Sequence, residues 1–146
     1  MENTNYLLTI HGIQYLDGET ETEELVTTAQ YAERGGKKLI RYKELVDTEG
    51  AGEMTVSNTI KIESGKVTLT KKMEGRTGNM IFERGVRHQS MYANEAATLM
   101  IGVYTDMIDE KISADGGVME IVYSIDFNGG FESDNRILIT LKKMEE

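Results

Sequence analysis

Apolar and polar residues alternate with a period of two along most of this chain. The pattern is clearest in residues 54–63, where one side of the alternation carries Met54, Val56, Ile60 and Ile62. It resumes in residues 67–73 after a break at Ser64 and Gly65. A period of two with β-branched residues, interrupted by a Ser-Gly pair, is typical of an antiparallel hairpin with one buried face. The sequence therefore predicts a hairpin here, followed by a turn over residues 75–78.

The rest of the chain follows the same pattern of short strands and glycine-containing turns. Strands are predicted at residues 4–16, 25–31, 39–45, 86–92, 99–105, 119–127 and 137–141. The acidic tract 19–24 is typical of a charged surface, either a solvated strand edge or a loop. Residues 94–97 are compatible with one helical turn, because Asn caps helices well and Ala propagates them.

Regular short strands joined by tight turns indicate a β-sandwich or an up-and-down barrel. Parallel βαβ units are excluded, because each crossover needs a dozen or more residues. The chain has no proline to protect exposed strand edges, and a closed barrel avoids such edges. We therefore predict an all-β fold in which residues 1–146 form a single antiparallel up-and-down barrel of about eight to ten strands.

Charge and composition exclude several classes of function. Sixteen Lys and Arg against 25 Asp and Glu give a formal net charge of −9, which disfavours nucleic acid as a partner. There is no cysteine, so disulfides, thiolate nucleophiles and zinc–thiolate sites are excluded. No apolar window approaches the roughly 20 residues of a membrane helix, and the start of the sequence has no signal-peptide pattern. We predict a cytoplasmic protein without a membrane partner.

A few polar or amphipathic residues interrupt the apolar alternations. They are Arg41, Asn58, Lys71, Tyr92 and Tyr123. If these side chains face the barrel interior, they form polar anchors for an anionic or amphipathic small molecule. The alternative is that Arg41 and Lys71 extend outward near strand ends, Asn58 marks a bulge and the tyrosines belong to the core.

Other candidate chemistry has weaker support. His88 and Ser90 fall on the same side of a predicted strand, but no nucleophile-elbow motif accompanies them. The acidic segment that begins at Asp47 has Asn58 where a calcium loop needs a bidentate Glu. The glycine-rich turns match neither a dinucleotide fingerprint nor a P-loop. We predict no metal and no cofactor, and a non-enzymatic protein is favoured over an enzyme.

Several residues together resemble the YwiB-like family of bacterial proteins. The resemblance rests on Tyr42, Glu44, Gly65, the run Met-Ile-Phe-Glu-Arg-Gly at 80–85, Tyr92, Leu99, Thr105, Gly117, Ile121 and Tyr123. It implies a calycin-like (lipocalin-like) β-barrel and a cytoplasmic bacterial setting, and it carries no established activity. One difference is local: the family tends to continue after the tyrosine with Thr-Pro-x-Gly, whereas residues 93–97 read Ala-Asn-Glu-Ala-Ala.

Two functions follow from these observations. The preferred one is a protein that binds a small apolar or amphipathic ligand inside the barrel. The alternative is a protein-interaction or oligomerisation module, for example a homodimer, with a solid core and no ligand. Apolar residues on the nominally outer faces, such as Ile40 and Val122, motivate this alternative.

Overall fold

The computed structural model describes residues 5–48, 50, 52–93, 98–127 and 130–144, with residues 48, 91–93, 98, 99 and 131 described by their backbone only. Ten strands follow one another along the chain. They are β1 (Asn5–Leu16), β2 (Glu19–Arg34), β3 (Lys37–Thr48), β4 (Gly52–Glu63), β5 (Lys66–Met73), β6 (Arg76–Glu83), β7 (Arg87–Ala93), β8 (Thr98–Ser113), β9 (Gly116–Phe127) and β10 (Phe131–Lys143).

The strands form one antiparallel sheet in the order β6-β5-β4-β3-β2-β1-β10-β9-β8-β7. Each strand pairs with the strand that follows it in the sequence, except that β6 and β7 lie at the two edges of the sheet and β10 pairs with β1. This is the up-and-down arrangement, and it confirms the predicted all-β barrel. The predicted helical turn at residues 94–97 lies outside the described residues.

Tight turns set the register of the hairpins. Asp17 and Gly18 both have positive φ, 51° and 77°, and Gly35 and Gly36 have 56° and 80°. Two consecutive residues with positive φ make a type I′ turn, whose twist matches that of the flanking strands. Because no L side chain favours this region, Gly is the economical residue at these positions.

The sheet bends until its two edge strands, β6 and β7, meet and nearly close the barrel. Among the described residues the junction has two isolated bridges, Glu83 to Val86 and Arg84 to Thr105. The backbone N–H of Gly85 donates to the carbonyl oxygen of Thr105 at 2.8 Å. Thus the barrel closes through the β6–β7 turn and not through a continuous ladder.

An ion pair on the outer wall holds β7 across β8. The guanidinium of Arg87 contacts both carboxylate oxygens of Asp126 in β9, at 2.9 and 2.7 Å. The side chain of Arg87 passes over Gly102 of β8. A Cβ atom added to Gly102 would lie 2.1 Å from Nη2 of Arg87. Glycine at 102 therefore leaves the space that the arginine occupies.

The inward faces of the strands form the core. Its fully buried members include Leu8, Ile40, Ile60, Phe82, Val103, Met119, Ile121 and Ile139. The sequence had placed Ile40 on an outer face, and this was wrong. Ile40 is 0% exposed, because β3 turns Ile40 and Tyr42 inward and leaves the neighbouring Arg41 exposed.

Several strands depart from their predicted limits: β8 continues to Ser113, and β10 already begins at Phe131. The predicted turn over residues 75–78 is shorter, since β6 already begins at Arg76. The acidic tract 19–24 is the beginning of β2 and is exposed on both faces. Both β2 and β6 are longer than predicted, because their backbone hydrogen bonds to the other strand of the hairpin continue after the apolar alternation has ended.

Candidate functional site

The two ends of the barrel differ. We call the end with the turns β1–β2, β3–β4 and β5–β6 the upper end, and the end with the turns β2–β3, β4–β5 and β8–β9 the lower end. The lower end is filled by side chains. The ammonium of Lys38 lies 2.9 Å from a carboxylate oxygen of Glu110, and the Tyr6 hydroxyl donates to the carbonyl oxygen of Ala114 at 2.7 Å. These contacts connect β3 with β8, and β1 with the β8–β9 turn, across the barrel.

A cavity of about 340 Å³ lies at the upper end, and we call it the mouth cavity. It is lined by Gly12, Ile13, Gln14, Glu21, Glu23, Met80, Ile101, Tyr123, Ile125, Phe127, Asn135 and Arg136. Six strands contribute to it, namely β1, β2, β6, β8, β9 and β10. Its volume falls in the range of a few hundred Å³ that small-molecule sites occupy.

The inner part of the mouth cavity is apolar. The Tyr123 ring packs edge-on against Phe82, with ring centroids 4.8 Å apart and an interplanar angle of 69°. Such T-shaped contacts fix the orientation of the ring. Met80, Ile101 and Ile125 complete this part of the lining. A molecule that enters the cavity therefore meets rigid aromatic and aliphatic surface.

One wall of the same cavity carries neutral polar groups. The side-chain amide of Asn135 donates to the hydroxyl of Ser133 at 3.0 Å and to its carbonyl oxygen at 3.1 Å. The amide of Gln14 lies 3.4 Å from the same hydroxyl. Ser133 and Asn135 are buried, so the network is held in place and presents amides beside the apolar surface.

Acidic side chains occupy the rim. Glu21 and Glu23 of β2 line the cavity and are exposed. The cationic group that lines the cavity, Arg136, pairs through its Nε with Glu120. The charge at the entrance is therefore predominantly negative, which disfavours an anionic ligand.

A second cavity, of about 460 Å³, lies where β2 and β3 separate. Arg41, Tyr42 and Asn58 are among its lining residues. Asn58 is buried, and its amide donates to a carboxylate oxygen of Glu44 at 2.9 Å. Burial, and then the negative charge of Glu44, raise the pKa of the Tyr42 phenol above its ordinary value.

Comparison with known families identifies the barrel. Residues 8–139 match a family model described as Domain of unknown function (DUF1934). The chain belongs to the DUF1934 family. The resemblance to the YwiB-like family is thereby confirmed, because the crystal structure of the ywiB protein from Bacillus subtilis has the same fold, with a TM-score of 0.83. That alignment has 21% sequence identity and covers 98% of this chain and 94% of that one. No curated protein matches the sequence.

Of the five sequence-predicted residues, the four whose side chains the structure describes do not come together in this DUF1934 barrel. Tyr123 lines the mouth cavity, whereas Arg41 and Asn58 line the second cavity. Lys71 pairs in register with Asn58, but it lines neither cavity. The side chain of Tyr92 lies outside the described residues. Asn58 does not mark a bulge, because the register of β4 with β3 and β5 is continuous there.

Other candidate chemistry in the DUF1934 barrel is not assembled. His88 Nε2 lies 2.9 Å from a carboxylate oxygen of Glu83, and the buried Ser90 hydroxyl has no hydrogen-bond partner among the described residues. The histidine is therefore engaged by a carboxylate and not by the serine. The described part of the chain contains no group of three or more residues suited to hold a metal ion. Nor does it contain a helix with the length and apolar character to cross a membrane.

Sequence reasoning missed most of the mouth cavity, although a signal was present. On the inward side of β1 the apolar residues Leu8 and Ile10 are followed by Gly12 and Gln14. On β10 the polar Ser133 and Asn135 precede Ile137 and Ile139 on the same face. A change from apolar to small or polar residues within one alternation marks where the core ends. The change occurs at the same height on neighbouring strands, which only the pairing reveals.

Proposed function

We propose that the mouth cavity binds a small, largely apolar molecule that carries one neutral or positively charged polar group. The observation that carries the proposal is a cavity of about 340 Å³ whose inner surface is aromatic and aliphatic while one wall presents the side-chain amides of Gln14 and Asn135. Ligand sites typically combine such apolar surface with a few placed polar groups. The apolar part of the ligand would contact Tyr123 and Ile125, and its polar group would face Gln14 and Asn135.

The charge of the rim refines the ligand class. Glu21 and Glu23 are at the entrance, and Arg41 and Lys71, which had motivated an anionic ligand, line neither the cavity nor its rim. An anion would have to pass two carboxylates, and the guanidinium of Arg136, which lines the cavity, is already paired with Glu120. The proposal is therefore restricted to neutral and cationic amphipathic molecules. The calycin-like assignment and the cytoplasmic bacterial setting stay predictions.

Native mass spectrometry of the protein purified from a bacterial host tests the proposal. We expect an excess mass of a few hundred daltons that disappears under denaturing conditions and whose carrier can be identified directly. A variant, Gly12→Leu, sharpens the measurement, because a Cβ at Gly12 has no atom within 4 Å and the added side chain enters the cavity. It should remove the excess mass.

The matched control is Thr140→Val, a comparable substitution on the outer face of β10. It should retain the bound molecule. If purified protein is free of ligand and a screen of neutral and cationic amphiphiles gives no shift in melting temperature, the proposal is wrong. It is also wrong if Gly12→Leu and the parent protein bind the same molecule equally well.

A further inference from the structure

The wall of the barrel is split between β2 and β3. The two strands pair from Arg34 with Lys37 to Gln30 with Arg41, and the pairing ends there. Beyond this point residues 19–29 of β2 pair with β1 alone, and residues 42–48 of β3 pair with β4 alone. In the part of the chain that the structure describes, no strand pairs with the other side of residues 19–29. We call this side the free edge of β2.

The register shows which backbone groups face the free edge. Because the turn at Asp17 and Gly18 has two residues, Leu16 and Glu19 are a hydrogen-bonded pair, and every second residue of β2 directs its N–H and C=O toward β1. The intervening residues direct theirs to the free edge: Thr20, Thr22, Glu24, Val26 and Thr28. The turn at Gly35 and Gly36 gives the same result independently, since it makes Gln30 and Arg41 a hydrogen-bonded pair.

The side chains beside the split are unusual for an exposed strand. Leu45 is 69% exposed and Val26 is 55% exposed, the two highest values among the exposed large hydrophobic residues of the described chain. They lie on the two half-strands that border the split. An unprotected edge with apolar side chains is a template for strand addition, which proteins otherwise avoid by proline, bulges or covering segments.

The negative charge of the free edge indicates which kind of segment it binds. The free edge carries four glutamates, Glu19, Glu21, Glu23 and Glu24, all exposed, next to Leu25 and Val26. A second copy of the same strand, paired antiparallel over residues 20–28, would place Glu24 opposite Glu24, which destabilises a pair of strands, and would bring no cation to the other glutamates. An extended segment with lysine or arginine opposite the glutamates has the complementary charge.

We propose that the free edge of β2 binds an extended segment of another protein by β-strand addition. The segment carries lysine or arginine opposite the four glutamates and apolar residues opposite Leu25 and Val26. Main-chain hydrogen bonds with Thr20, Thr22, Glu24, Val26 and Thr28 provide the pairing, and Val26 provides apolar contact on the outer face. The hydrogen-bonding groups of this surface lie at the strand edge and outside the mouth cavity, although Glu21 and Glu23 also line that cavity.

A designed peptide tests the proposal. Written antiparallel to β2, the sequence Thr-Thr-Val-Ile-Lys-Lys-Thr-Lys-Thr-Lys places Val and Ile opposite Val26 and Leu25 and lysines opposite the glutamates. We expect binding that weakens with salt, measured by fluorescence anisotropy. Hydrogen exchange should slow at the amides of Thr20, Thr22, Glu24, Val26 and Thr28, and remain unchanged at the alternate residues, which already bond to β1.

Matched variants distinguish the contribution of backbone hydrogen bonds to peptide binding from the contribution of charge. Thr22→Pro removes an N–H that faces the free edge and leaves the β1 ladder intact, so it should weaken peptide binding about tenfold or more. Thr22→Ala keeps the N–H and should change binding less than about twofold. Glu19→Gln with Glu24→Gln, which do not line the mouth cavity, should weaken binding and reduce its salt dependence.

Each of the following results would overturn the proposal. The first is no binding of the peptide at low salt by folded protein. The second is equal binding by the parent protein and Thr22→Pro, or protection of amides outside residues 20–28. The third is a dimer of the free protein that already protects these amides and that Thr22→Pro dissociates, since the occupant is then a second copy of this chain.

Discussion

The lower and upper ends of this barrel are made from the same ten strands and yet differ in what they can do. At the lower end, Lys38 and Glu110 form an ion pair beside the fully buried Ile112, and the interior is filled. At the upper end, Gly12, Gln14 and Asn135 take the corresponding inward positions and leave a cavity. At the upper end the strands therefore continue beyond the apolar core, and these additional residues line the candidate site. Stability should depend on the lower end and binding on the upper end.

The largest expected effect comes from two isoleucines on one strand. Ile121 and Ile125 lie on the same face of β9, but Ile121 is fully buried and Ile125 lines the mouth cavity. Ile121→Ala should lower the free energy of unfolding by about 2–5 kcal/mol, because it leaves a void in packed surroundings. Ile125→Ala should cost about 1 kcal/mol, since its side chain already borders open space. Denaturant unfolding measures both, and equal losses would contradict the distinction between the two ends.

The next effect concerns the ion pair that closes the lower end. In Glu110→Gln the ammonium of Lys38, which is 29% exposed, loses its carboxylate partner. The unfolding free energy should fall by about 2 kcal/mol, between the values for buried and surface pairs. The control is Glu120→Gln, which breaks the pair with the more exposed Arg136 on the outer wall and should cost less than about 1 kcal/mol. The expectation fails if the two losses are the same.

The upper end can also be changed in the stabilising direction. Glycine within a strand costs about 0.5–1 kcal/mol relative to alanine, and a side chain at position 12 meets no atom within 4 Å. Gly12→Ala should therefore raise the unfolding free energy by about 0.5 kcal/mol. Gly12→Leu should add apolar contact and stabilise the protein while removing the ligand. Thermal and denaturant unfolding measure the stability of Gly12→Leu. A general disruption of the fold would lower that stability, whereas a side chain that fills the cavity should raise it.

The smallest effect is a dependence of stability on alkaline pH. Burial, and then the charge of Glu44, raise the pKa of Tyr42 above the 10.0 of a free phenol. The unfolded chain then loses this proton at a lower pH than the folded chain. The associated stability is complete below about pH 10 and falls as the pH rises through the folded pKa. Tyr42→Phe should reduce the loss of stability as the pH rises above about 10. Tyr104→Phe, on the outer face, is the control, and an equal change in both variants would contradict the assignment.

The sequence by itself determined the architecture, because strands and turns are specified locally. The alternation around Ile60 and Leu69, and the positive φ that Gly35 and Gly36 provide, are sufficient to predict a succession of antiparallel hairpins. The likeness to the ywiB protein shows that the same barrel forms at 21% identity, so the fold is compatible with the replacement of most side chains. Residues 54–85 illustrate this, since their predicted hairpin is confirmed and only the beginning of β6 was misplaced.

The tertiary structure alone decided the faces and the site. In residues 39–45 apolar and polar side chains occur on both sides of the alternation, and a change of one residue in register exchanges the faces. Only the pairing with β2 and β4 shows that Ile40 is inside and Arg41 outside. The mouth cavity depends likewise on contacts between strands far apart in the chain, such as Gln14 with Ser133. The free edge of β2 could not be predicted from the sequence for the same reason. A strand has the same sequence pattern whether its neighbour pairs along its whole length or separates from it at Gln30.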